Sequence, residues 1–268
     1  MSSTAQSLEH TGIHPAALVD PGAEIAGNVS IGPFTVIEGN VKIGEGSRIA
    51  SHVVIRSGSV LGKNNRIYQF SSIGESPQHT AYRGENTSLM IGDDNIIREN
   101  CTLSRGTPDG QGETVIGNRN FLMAYSHIAH DCVLGNHTIF ANGASLAGHV
   151  EVGDWAILGG FSLIHQFCRV GAHCITGIGT VCLKDAPPFT VVSGNSASTF
   201  GINYKGLQRR NFTADNIANL KRAYRCVYRS NLDLGTALRE LEQRGLMNDP
   251  HVAHFARFHQ NSERGVIR

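Results

Sequence analysis

The 268-residue chain carries 23 Lys and Arg against 22 Asp and Glu, a formal charge of +1, and 40% of its residues are hydrophobic. That balance excludes a generic nucleic-acid binder, which needs a basic excess to neutralise phosphates, and no apolar run approaches membrane-spanning length. Met1 to His10 lack the basic and apolar blocks of a secretory signal, so a cytoplasmic protein with no stable membrane insertion is expected.

The first element in chain order is a repeat. An apolar residue returns every six positions as Ile13, Val19, Ile25, Ile31, Ile37, Ile43, Ile49, Ile55, Leu61, Ile67 and Ile73, then as Ile116, Leu122, Ile128, Leu134, Phe140, Leu146, Val152, Leu158, Ile164 and Val170. Six is not a multiple of 3.6, so a helical stripe would drift off its face, and an ordinary half-buried strand alternates over only a few residues. A fixed period sustained over roughly 170 residues marks a solenoid, and hexapeptide repeats mark a parallel β-helix. Four positions after the apolar residue the side chain is nearly always small or β-branched, as at Ser126, Cys132, Thr138, Ala144, Val150, Ala156, Ser162, Cys168, Cys174, Thr180 and Ala186. The two registers predict a narrow interior filled by alternating large and small side chains. Gly often follows the apolar residue, as at Gly32, Gly44, Gly62, Gly135, Gly153 and Gly171, which is read as the mark of a sharp bend.

Two interruptions follow. Glu75 to Leu89 replaces two hexads with polar, Pro-containing sequence before Ile91-Gly92 restores the phase, and Arg105 to Glu113 inserts Gly-rich sequence that shifts the phase by one residue. Loops are expected near 75–90 and 105–114, and loops on a rigid scaffold often carry binding residues. Of the six cysteines, Cys132, Cys168 and Cys174 occupy the small slot and Cys182 the apolar slot, so they read as core packing, and no CxxC pair is present.

The repeat is expected to end at Asp185-Ala-Pro-Pro188, because prolines cannot donate to a parallel ladder. The chain thus divides into a β-helix over 1–190 and a helical domain over 191–268. Thr213 is a plausible N-cap for a helix carrying Ile217, Leu220, Tyr224 and Val227; Leu234 to Leu241 and Val252 to Phe258 suggest two more, with Asp249-Pro250 as cap and first position. Arg222, Arg225 and Arg229 share one face of the first helix. Such a stripe is ordinarily solvated, and it also suits docking of an acidic partner.

Chemistry on a β-helix must come from outward slots, and histidines occupy them. His127, His130, His149 and His165 lie off the interior register on adjacent coils. With three hexads per coil, residues 18 apart stack about 4.8 Å above each other, which places His130 under Gly148 with His149 beside it. Imidazole is the natural general base near neutral pH. Asp131 follows His130, although neighbours in a strand point to opposite faces. The Gly148 N–H suits a developing oxyanion. A base and an oxyanion donor describe acyl transfer to a hydroxyl or amine. His137 and His173 are assigned no role.

The repeat, the segments His127-Ile-Ala-His-Asp-Cys132, Ala147-Gly-His149 and His165-Gln-Phe-Cys168, the stretch Asn203-x-x-Gly-Leu-x-Arg-Arg210 and the helical tail together resemble the UDP-N-acetylglucosamine acyltransferase family, which begins lipid A synthesis. The resemblance spans essentially Ile13 to Arg268. It implies a mainly β fold, a left-handed parallel β-helix followed by a small α-helical C-terminal domain, and a homotrimer. It also implies transfer of an (R)-3-hydroxyacyl group from the phosphopantetheine thioester of acyl carrier protein to the sugar 3-hydroxyl, with no metal or other cofactor. By the same resemblance His130 is the general base, with Asp131 beside it, and Gly148 is the oxyanion donor. His127, His149, His165 and Gln166, with Gln69 and Gln78, position sugar nucleotide and acyl chain. Asn203, Arg209 and Arg210 bind the nucleotide, and Arg222, Arg225 and Arg229 dock the acidic carrier.

The chain departs from the family where substrates are chosen. Family members commonly carry Asp and Lys two residues apart after Gln in the first loop; here Gln78 is followed by His79, Thr80 and Ala81, and Lys205 stands where a carboxylate is common. Ile178 aligns with the family's chain-length ruler, and its branched side chain predicts a short acyl chain, on the order of ten carbons, by overpacking against longer ones. Two alternatives stay open: an N-acyltransferase acting on an amino-sugar nucleotide, and a γ-carbonic-anhydrase-like enzyme holding zinc on histidines.

Overall fold

The computed structural model describes residues 12–268, so the expectation drawn from Met1 to His10 lies outside the described residues. They form two compact units, divided between Cys132 and Val133.

In the first unit, two-residue strands such as Val36–Ile37, Lys42–Ile43 and Arg48–Ile49 alternate with four-residue corners. Each pairs in parallel with the strand 18 residues on, Val36 with Val54, Lys42 with Val60 and Arg48 with Arg66, so three strands complete one coil. The hexad follows from this geometry. Ile37, Ile43 and Ile49 fill the interior from the strands, while Val41, Ser47 and Val53, four positions later, fill it from the corners.

Most of the glycines after the apolar residues play a different part from the one expected, although Gly74 does have a positive φ, 73°. Gly32, Gly44 and Gly62 do not have the positive φ that a bend needs; the residues two places on, Phe34, Gly46 and Asn64, do, at φ 59°, 72° and 55°. The glycines instead let successive coils touch: a Cβ on Gly44 would lie 2.6 Å from the Gly62 carbonyl. The residues that make the bend keep their backbone hydrogen bonds, with His52 N–H donating to the Pro33 carbonyl and Phe70 N–H to that of His52.

Both insertions leave after strands of one sheet and return into strands of the next. Ser72–Glu75 and Thr102–Ser104 pair in parallel and precede the loops; Ser88–Ile91 and Glu113–Ile116 pair and receive them. The loops therefore occupy 76–87 and 105–112, on successive coils. Arg105 ties them together, its guanidinium donating to the Ser57 carbonyl at 2.9 Å, the Tyr82 hydroxyl at 3.1 Å and Ser76 Oγ at 3.3 Å.

The second unit repeats the pattern from Val133–Leu134 to Val181–Cys182. Cys132 in the first unit and Cys168, Cys174 and Cys182 in the second are buried and unoxidised, as the register predicts. Pro187 and Pro188 do not end the sheet. They lie in a corner, where no ladder donor is needed, and Thr190–Ser193 rejoins the ladder in parallel with Ile175–Thr176. Ser198–Ile202 then folds back antiparallel on that strand and closes the stack.

Four α-helices follow rather than three: α1 (Tyr204–Arg209), α2 (Ala214–Arg229), α3 (Leu234–Gln243) and α4 (Pro250–Gln260). Thr213 caps α2 in a reciprocal box with Asn216, and Asp249 caps α4 ahead of Pro250. The short α1 escapes a periodicity argument. Leu207, Leu220, Leu241 and Phe255 bury the apolar faces together. Arg169 joins helices to coil within this unit, donating to the Phe258 carbonyl at 3.0 Å with its guanidinium 4.6 Å from the Phe258 ring centre. Among the described residues no helix is long and apolar enough to cross a membrane.

Candidate active site

His130 and Asp131 form the corner after strand His127–Ile128, with Asp131 at φ 59°. Strand alternation does not apply at a corner, and the two side chains meet: His130 Nδ1 lies 2.8 Å from Asp131 Oδ2. Asp131 is buried, whereas the His130 side chain keeps 12% of its surface exposed. The second loop supplies further donors to the carboxylate. Thr107 Oγ1 donates to Oδ2 at 2.6 Å, and the Thr107 and Gln111 N–H groups donate to Oδ1 at 3.1 and 3.0 Å. An acceptor facing Nδ1 makes that nitrogen the protonated one and leaves the lone pair on Nε2, the arrangement of a general base.

His127 stands on the same unit, its Nδ1 2.7 Å from Thr102 Oγ1. Burial, and then the charge of His130 when protonated, hold its pKa below the usual histidine value. It is therefore neutral near pH 7. His79 reaches back from the first loop and sets its ring edge-on to that of His130, with centres 5.4 Å apart. Sequence reading marked His79 only as a departure. The available signal was that the two insertions leave successive coils of the repeat below the histidine-bearing hexads. Gln69 is half-buried at a corner, its carbonyl accepting from Asn100 N–H at 3.2 Å, and Gln78 is exposed in the first loop.

In the second unit Gly148 and His149 form a corner, and the His149 ring stacks on Phe167 with centres 4.5 Å apart. His165 and Gln166 are exposed, and Arg264 donates to His165 Nδ1 at 3.1 Å, a contact with the C-terminal segment that no sequence pattern announced. Ile178 is 79% exposed and closes no apolar slot within this chain. Asn203 is buried and engaged at both ends, its Oδ1 capping α1 through Gly206 N–H at 3.1 Å and its Nδ2 donating to the His173 carbonyl at 3.0 Å.

The two neighbouring arginines differ. Arg209 is exposed, whereas the Arg210 guanidinium lies 5.0 Å from the Trp155 ring centre with a buried Nη1 that has no hydrogen-bond partner. Burial lowers the Arg210 pKa. Trp155 stacks in turn on His137 at 4.0 Å, so His137 is part of a packed aromatic pile rather than an idle surface group. Arg222, Arg225 and Arg229 are all exposed on α2.

With this geometry in hand, comparison with known proteins decides the family. The family model described as UDP-N-acetylglucosamine O-acyltransferase, domain 2, matches residues 185–267, and the bacterial transferase hexapeptide model matches 22–57 and 113–148. The acyl-[acyl-carrier-protein]–UDP-N-acetylglucosamine O-acyltransferase of Thiobacillus denitrificans is 56% identical over 256 residues, covering 96% of this chain and 99% of that protein. The chain belongs to the UDP-N-acetylglucosamine O-acyltransferase family. The crystal structure of LpxA from Acinetobacter baumannii superposes on 96% of this chain and 99% of its own, with a TM-score of 0.93 at 42% identity. One solved as UDP-N-acetylglucosamine acyltransferase from Arabidopsis does so on 96% and 100%, with a TM-score of 0.83 at 34% identity. As in this O-acyltransferase family, the fold is a left-handed parallel β-helix followed by a small region of four helices.

Proposed function

We propose that this chain moves a 3-hydroxyacyl group from the thioester of acyl carrier protein to the 3-hydroxyl of UDP-N-acetylglucosamine, opening lipid A synthesis. The family and the names of its close relatives support the substrates. The observation that carries the mechanism is the 2.8 Å contact between His130 Nδ1 and the buried Asp131 carboxylate. His130 Nε2 takes the proton of the sugar hydroxyl as its oxygen attacks the thioester carbon, and the Gly148 N–H donates to the oxyanion. Collapse expels the carrier thiolate, which receives the proton from His130. His127, neutral near pH 7, offers a hydrogen bond without a competing charge, and His149, His165, Gln166, Gln69 and Gln78 position the two substrates.

For the nucleotide, the exposed Arg209 is the phosphate ligand, with the partnerless Nη1 of Arg210 as a second donor. Asn203, its side chain engaged within the fold, shapes the stretch. The exposed arginines of α2 receive the acidic carrier. Exposed Phe161, Leu163, Phe167 and Leu183 form apolar surface that supports self-association as a homotrimer in the cytoplasm. In that assembly Ile178 meets the acyl tail and limits it to about ten carbons, by steric exclusion of longer ones.

His130→Ala is expected to abolish nearly all transfer while leaving the assembly intact by light scattering; retained activity removes His130 as base. Turnover of carrier-bound donors of ~10 and ~14 carbons by the native chain and Ile178→Gly tests the ruler, since equal preference in both eliminates it. A second acceptor, an amino-sugar nucleotide, is favoured by one observation: His79 rests against His130 where the family commonly has a carboxylate and an ammonium. A product resistant to mild alkali identifies the amide.

A further inference from the structure

We infer that Thr107, on the second loop, is a positioning residue for acyl transfer, acting through Asp131 to hold the His130 ring; the inference rests on the reading of His130 as base. The Thr107 hydroxyl and His130 Nδ1 bind the same oxygen, Asp131 Oδ2, at 2.6 and 2.8 Å. The other oxygen, Oδ1, accepts the N–H groups of Thr107 at 3.1 Å and Gln111 at 3.0 Å. The loop is thus wrapped around one carboxylate. Thr107 and Asp131 are both buried, so neither is available to touch substrate. Asp131 is also held by its backbone, its N–H donating to Thr114 Oγ1 at 2.8 Å.

The loop is built for this contact. The Thr107 carbonyl accepts from the N–H groups of Gly110 and Gly112 at 3.1 and 3.0 Å, which curls 107–112 into a tight cup. A Cβ at Gly110 would lie 2.4 Å from Asp131 Oδ1, so only glycine lets the cup close on the carboxylate. A threonine that merely stabilised a surface loop has no need to share an oxygen with the ring of the base. Donors on every side of Asp131 fix the plane of its carboxylate and hence the direction of the His130 ring, which sets where Nε2 points.

Thr107→Val keeps the shape and removes the hydroxyl, and Thr107→Ser restores it. Steady-state kinetics with UDP-N-acetylglucosamine and carrier-bound hydroxyacyl donor are expected to show kcat lowered about ten- to a hundred-fold in Thr107→Val. KM for both substrates stays within about two-fold, and Thr107→Ser returns near the native kcat. Native kcat in Thr107→Val overturns the inference, as does a rise in KM with kcat unchanged, which would make Thr107 a substrate contact. Should Val prevent folding, Thr107→Ala, lacking the hydroxyl without added branching, is read the same way. A parallel His130→Ala separates the two layers: if it stays active the base assignment itself fails, whereas if it is inactive and Thr107→Val is not, only the role of Thr107 fails.

Discussion

At the scale of single residues, the decisive contact is between sequence neighbours. His130 and Asp131 were both recognisable as candidates, and a carboxylate next to the ring could orient it, yet adjacency alone did not establish that they meet; the corner, with Asp131 at φ 59°, turns both side chains to one place. Asp131→Asn replaces an acceptor by a group that also donates, which disturbs the protonation of Nδ1. A kcat lower on the order of a hundred-fold is expected, with little change in KM, from initial-rate kinetics. Arg209 and Arg210 were indistinguishable as a pair in sequence, because only the packing of Trp155 decides which guanidinium is free. Arg209→Ala is expected to raise KM for the sugar nucleotide about ten-fold through loss of a charge-assisted contact, and an unchanged KM would remove it from the phosphate site.

At the scale of elements, the hexad was legible because it is a local period imposed by one repeated geometry. The apolar and small registers predicted the buried positions of both units, down to Cys168, Cys174 and Cys182. The role of most of these glycines was misread for a physical reason: close approach of coils and positive φ both favour glycine, and sequence cannot separate them. Gly44→Ala, with its Cβ driven into the Gly62 carbonyl, is expected to destabilise the chain by about 2–4 kcal/mol in urea unfolding. Helix α2 was legible from its period and from Thr213, whose Oγ1 accepts from Asn216 N–H at 3.1 Å. Thr213→Ala is expected to cost about 1 kcal/mol by the same measurement. Helix α1, too short to show a period, was found only in the fold.

At the scale of the whole molecule, acid acts through buried histidines. His259 lies in the helical core, its Nδ1 donating to the Phe255 carbonyl at 2.7 Å and its Nε2 accepting from the Tyr228 hydroxyl at 2.7 Å. Burial lowers its pKa to about 4 from an ordinary 6.5, opposed by the Phe255 hydrogen bond and assisted by Arg268. The folded state then binds fewer protons than the unfolded state between these values. Stability is unaffected above pH 7, falls as pH drops below about 6.5, and stops falling on this account below about 4. Between pH 7 and pH 5 the native chain should lose about 2 kcal/mol more than His259→Phe, and equal slopes for the two would exclude this origin.

The sequence alone determined the hexad coil, the contents of its core, the two insertions and the capped helices α2 and α4, because each is written in a period or in neighbouring residues. Tertiary structure decided what joins distant positions: the loop cup of Thr107 and Gln111 on Asp131, His79 against His130, Arg264 on His165, and the return of the sheet after Pro188. Those contacts arise where insertions and chain ends break the repeat, and a broken period carries no rule for where its side chains land.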